Sequence, residues 1–115
     1  MSFSLLKPMS DRRLLDSPLY RYRRQQFLLL HPYCQVWLAE HLLTEDEAKH
    51  LQGLVRLPDG AQVSIPLSTQ VHHRNKRRGA DLLDQSEWLA VSREAHARIE
   101  GHKTWARAHG YLRDF

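Results

Sequence analysis

Residues 71–100, VHHRNKRRGADLLDQSEWLAVSREAHARIE, constrain this chain more than any other stretch. His72 and His73 stand side by side at its start. A basic loop with a single glycine, Gly79, follows. Then come an apolar run, Trp88-Leu89-Ala90-Val91, and a helix-patterned segment carrying His96. Two histidines on one segment facing a third on a following helix can hold a divalent metal beside a general base. The plainer alternative is that the eight histidines of a basic chain cluster by chance and stay solvated.

At 115 residues the chain is long enough for one domain with a modest core. No apolar run approaches the roughly 20 residues of a membrane span, so no membrane partner is expected. The N-terminus lacks the charged and apolar regions of a secretion signal. Cys34 is the only cysteine, which excludes an internal disulfide and any multi-cysteine zinc site. These features fit a reducing cytoplasmic setting. The net charge is +4. Its positive residues concentrate at Arg12-Arg13, at Arg21, Arg23 and Arg24, and at Arg74, Lys76, Arg77 and Arg78. Such clusters suit a polyanion, since every phosphate contact releases counterions. The densest directly follows His72-His73, which favours nucleic acid over a merely soluble basic surface.

Residues 1–16 read as a flexible arm and residues 17–115 as the domain. Ser17-Pro18 opens a helix running from Leu19 to about Leu30. Leu19, Tyr22, Gln26, Leu29 and Leu30 fall near one face of it, with Arg21, Arg24 and Gln25 elsewhere. His31-Pro32 ends it. Val36-Trp37-Leu38 fits either a buried strand or a helix start. Thr44 and Glu47 form a capping box for a short helix that Gly53 ends. Residues 54–57 and 61–65 flank Pro58-Asp59-Gly60 as a hairpin. Residues 68–73 read as a strand, and residues 88–91 return antiparallel to it. Ser92 caps a helix over residues 93–101, and Thr104 caps a last one over residues 105–109. Tyr111, Leu112 and Phe115 read as packing residues.

These residues resemble the HNH endonuclease family, specifically its small phage-type members. The resemblance rests on Val71-His72-His73, Gly79, Leu82-Leu83-Asp84, Trp88-Leu89-Ala90-Val91 and His96. Trp105-Ala106-Arg107, Gly110 and Leu112 match the tail, and Phe27-Leu28, His31-Pro32 and Cys34 match more thinly upstream. It implies a single α+β domain. A ββα-metal core spans about residues 68–102, with an N-terminal helix and an inserted helix and hairpin around it. It implies His72 and His96 as metal ligands and His73 as the general base that activates water. Glu100 shares a helix face with His96, four residues on, and would join them at the metal.

The chain departs from that family in two places. Glu100 stands where histidine is usual. A carboxylate suits Mg²⁺ or Mn²⁺ and can also ligate Zn²⁺, while the plain reading of Glu100 is a solvated helix residue. Glu87 stands where the asparagine of the motif's name falls, with Asp84 as a substitute for its bracing role. Relatives hold a structural zinc through two Cys-x-x-Cys pairs. Here those positions read Cys34, Trp37, Ser92 and Ala95, so no structural zinc is expected and Trp37 fills the space. The resemblance thus implies a metal-dependent enzyme hydrolysing DNA phosphodiester bonds. Arg74, Lys76, Arg77 and Arg78 would grip backbone phosphates with little sequence specificity. Its alternatives are a decayed, non-catalytic module that binds nucleic acid or a protein partner, and a phage effector.

Overall fold

The computed structural model describes residues 15–75 and 83–113. Elements follow in the order α1 (Pro18–Leu30), α2 (Gln35–Glu40), α3 (Glu45–His50), β1 (Leu54–Arg56), β2 (Gln62–Ser64), β3 (Gln70–His73), a 3₁₀ turn (Gln85–Glu87), β4 (Trp88–Val91), α4 (Arg93–Gly101) and α5 (Lys103–Ala108). This is the small α+β domain expected. Residues 1–14 of the arm expected at 1–16, residues 76–82, which hold most of the expected basic loop, and residues 114–115, with Phe115, lie outside the described residues. Among the described residues no helix is long and apolar enough to cross a membrane.

Local chemistry sets most boundaries. Ser17 accepts from the Tyr20 amide to start α1, and Pro18 occupies the first turn, where its missing N–H costs nothing. Thr44 makes both bonds of its capping box with Glu47. Gly53, at φ +75°, ends the α3 turn by donating to the Ala48 carbonyl. Residues 35–40 resolve as helix rather than strand. The last helix differs from expectation. His102 rather than Thr104 stands at its N-cap, and no side chain caps it.

The hairpin β3–β4 is the centre of the domain. Its register pairs Gln70 with Val91, Val71 with Ala90, His72 with Leu89, and His73 with Trp88. Opposed residues point to the same face, so the hairpin has two distinct sides. One side carries Val71, Trp88 and Ala90, which pack with Tyr20 and Phe27 of α1. The other packs Val91 against Ile99 of α4, Cys34, Val36, Ala106, Tyr111 and Leu112. The hairpin is therefore a slice between α1 and α4. A third cluster is built on Leu38 of α2, Ala48 of α3 and Ile65 just after β2.

The inward face of α1 corrects the sequence reading. Tyr20 and Phe27 are its buried residues, whereas Leu19, Tyr22, Leu29 and Leu30 are exposed. Aromatic fit decides this. Tyr20 and Phe27 both stand edge-on to Trp88, at 5.6 and 5.3 Å between centroids. Arg24 lies on the same side and donates to the Thr69 carbonyl at 2.9 Å. A hydrophobicity count along the helix cannot see a tryptophan on the opposing strand.

Candidate metal centre

The site forms where α4 crosses the face of the hairpin that carries Gln70 and His72. The Ser92 hydroxyl accepts from the Ala95 amide, so α4 starts one residue after β4 ends. That short connection fixes the helix against the hairpin. Ile99 is fully buried beneath it, which anchors α4 by about 1.5–3 kcal/mol. His96 lies on the first turn and Glu100 on the next, on one helix face. The far edge of β4 is held by Gln35, whose carboxamide oxygen accepts from the Ala90 amide at 2.8 Å.

One ligand atom from each of His72, His96 and Glu100 lies within 4.8 Å of the other two. These three side chains could hold a metal ion. The imidazoles of His72 and His96 meet edge to face with centroids 5.3 Å apart. His72 is 3% exposed, His96 half-buried and Glu100 exposed, so the group opens to solvent on the glutamate side.

Two further contacts orient the imidazoles. Nε2 of His72 lies 2.7 Å from the Tyr111 carbonyl. A carbonyl only accepts, so Nε2 carries the hydrogen and the lone pair of neutral His72 is on Nδ1. Nδ1 of His96 lies 2.6 Å from the carboxamide oxygen of Gln70. That puts the hydrogen on Nδ1 and the lone pair on Nε2, the atom 3.6 Å from Glu100 Oε1. Hydrogen bonding of the other ring nitrogen is how proteins aim metal-binding histidines. Neither Gln70 nor the Tyr111 carbonyl is among the sequence candidates. Strand alternation could have flagged Gln70, two residues before His72. A backbone carbonyl leaves no trace in sequence.

His73 faces the α1 side of the hairpin. Its Nε2 lies 3.1 Å from the Tyr20 hydroxyl, and its ring forms a triangle with those of Tyr20 and Trp88, stacked on the first and edge-on to the second. Burial, with the neighbouring imidazoles of His72 and His96, lowers its pKa from 6.5 to about 4. His73 is therefore neutral at pH 7.

The mouth of the hairpin is braced by charge. Arg113 donates to Glu87 Oε1 at 2.7 Å, and its amide donates to the Arg74 carbonyl at the same distance. Asp84 accepts from both the amide and the hydroxyl of Ser86. Arg74 donates to the Ser86 carbonyl at 2.6 Å, which makes it part of this brace. Lys76, Arg77 and Arg78 lie outside the described residues.

Cys34, Trp37, Ser92 and Ala95 line one cleft of about 280 Å³. Distant in sequence, they converge as the two halves of a four-ligand site would. Their donor set does not fit zinc, since one buried thiol stands with an indole, a hydroxyl and a methyl group. Trp37 packs instead against two of the three apolar clusters and stacks on His41 at 3.7 Å.

No family model, no curated protein and no solved structure matches the chain.

Proposed function

We propose that the protein is a divalent-metal-dependent nuclease of the HNH type that hydrolyses DNA phosphodiester bonds. The observation that carries this reading is the convergence of His72, His96 and Glu100 on a hairpin-and-helix unit, with one ring nitrogen of each imidazole held by a hydrogen bond. The gathering of Cys34, Trp37, Ser92 and Ala95 around one cleft supports it independently. A two-nitrogen, one-oxygen donor set accepts Mg²⁺ or Mn²⁺, and Zn²⁺ as well. Such an ion, when bound, offsets negative charge on the phosphate and on the leaving oxygen.

The chain's own residues supply the rest. His73, neutral at pH 7 and on the α1 side of the hairpin, takes a proton from water once its Nε2 is released by the Tyr20 hydroxyl. The resulting hydroxide attacks phosphorus, the bond to the leaving oxygen breaks, and that oxygen is protonated by solvent. The ion pair of Glu87 with Arg113 keeps the two strands in register while the loop between them meets DNA. Arg74 steadies the base of that loop, and Lys76, Arg77 and Arg78 contact backbone phosphates.

Plasmid DNA incubated with Mg²⁺ or Mn²⁺ is expected to be nicked, chelator to stop the reaction, and His73→Ala to abolish it. Undiminished cleavage by His73→Ala would refute the assignment. A second reading, a module that binds nucleic acid or protein without catalysis, is favoured by Glu87, whose Oε1 is engaged by Arg113. Calorimetry that detects DNA binding and no divalent-ion binding would select it.

A further inference from the structure

Tyr20 belongs to α1, outside the ββα unit, yet its hydroxyl reaches across 53 residues of sequence to Nε2 of His73 at 3.1 Å. The two rings stack with centroids 5.9 Å apart, inclined by 26°. Trp88 stands edge-on to both, at 5.6 and 5.7 Å. Tyr20 and Trp88 are 5% and 3% exposed, so the contact sits in apolar surroundings.

The direction of this hydrogen bond decides what His73 can do. A neutral imidazole has one N–H and one lone pair. A buried phenol needs an acceptor for its hydrogen, because an unsatisfied buried donor is costly. Among the described residues, Nε2 of His73 is the one hydrogen-bond partner of the Tyr20 hydroxyl, and Nδ1 of His73 has none. If Nε2 carried the hydrogen, Tyr20 would accept it and its own buried hydrogen would have no acceptor there.

We infer that Tyr20 donates its hydroxyl hydrogen to Nε2 of His73, which fixes the His73 hydrogen on Nδ1 and puts the imidazole's single lone pair in the keeping of α1. Tyr20 is thus a positioning residue that acts through His73. The consequence for rate rests on the nuclease reading above, and the assignment of the hydrogen bond does not. In that reading, water cannot pass its proton to Nε2 until the Tyr20 hydroxyl has turned away. The resting enzyme is restrained by its own N-terminal helix.

Long-range ¹H–¹⁵N NMR of the labelled full chain reads the tautomer directly. The expected spectrum has Nδ1 of His73 protonated and Nε2 unprotonated. In Tyr20→Phe, Nε2 should move toward the position of a nitrogen free of hydrogen bonds, with the ring signals of His72 and His96 unmoved. The opposite tautomer in the natural protein overturns the inference. In plasmid nicking with Mn²⁺, Tyr20→Phe should raise kcat about three- to tenfold at constant KM. An unchanged or lower kcat overturns the restraint. If neither protein nicks DNA, the nuclease reading falls, and the NMR result still decides the hydrogen bond.

Discussion

Glu100→Gln separates a metal ligand from a surface residue. Glu100 is more than half exposed, and its approach to His96 is 3.6 Å, too long for a hydrogen bond. It also lies in the last turn of α4, where negative charge opposes the helix dipole. Removing that charge should leave the metal-free protein unchanged within about 0.5 kcal/mol, or slightly more stable. For 115 residues, the unfolding entropy is about 0.24 kcal/mol per kelvin, so the metal-free Tm should move by no more than about 2 °C. Metal-bound protein should respond differently. Loss even of an outer partner of a metal site weakens binding about 10- to 100-fold, and loss of a direct ligand should reach the upper end. With Mn²⁺ at about 100 times the Kd of the natural protein, binding stabilises the fold by about 2.7 kcal/mol, or about 11 °C. A 100-fold weaker site at the same concentration gives about 0.4 kcal/mol, or about 2 °C. Scanning fluorimetry with and without Mn²⁺ reads both numbers. Glu100→His, which places a third imidazole there, should keep the large shift. An equal Mn²⁺ shift in Glu100→Gln and the natural protein would show that the carboxylate does not reach the ion.

His73 makes the metal-free protein sensitive to acid. Its folded pKa of about 4 lies below the ordinary 6.5, so between those values the unfolded chain holds a proton that the folded chain does not. Stability is full above pH 6.5 and falls as pH drops through that window. The loss is about 1–2 kcal/mol once screening of a partly exposed ring is counted. Urea titrations should show this fall in the natural protein and not in His73→Phe, and a parallel fall in both would refute it. Gly53→Ala should cost about 1–3 kcal/mol in the same titrations. The position has φ +75°, and a Cβ there would come within 2.8 Å of Tyr33. The Mn²⁺ shift should survive that change, since Gly53 abuts Tyr33 beside the third cluster and not the metal group, and its loss would show that the two regions are coupled.

The local elements and the site differ in how far sequence could reach them. Ser17, Thr44 and Ser92 each bond an amide three residues on, so their helix starts could be read from neighbours in the chain. The antiparallel return of residues 88–91 follows from strand patterning, while its register is seen only in the structure. Resemblance and helix spacing group His72, His96 and Glu100, and the three lie together in the structure.

Sequence by itself thus determined most of the elements and, with the resemblance, the candidate ligands, because caps, turns and the i, i+4 spacing act over a few residues. Only the tertiary structure decided the state of the histidines. The Tyr111 carbonyl sets the tautomer of His72 from 39 residues away, Gln70 orients His96 across 26, and Tyr20 occupies His73 across 53. Long-range partners of this kind depend on which face of α1 meets Trp88 and where the chain after α5 returns to β3. Those placements come from packing shape rather than hydrophobic period, and they determine whether three imidazoles are ligands, a base, or a base held in check.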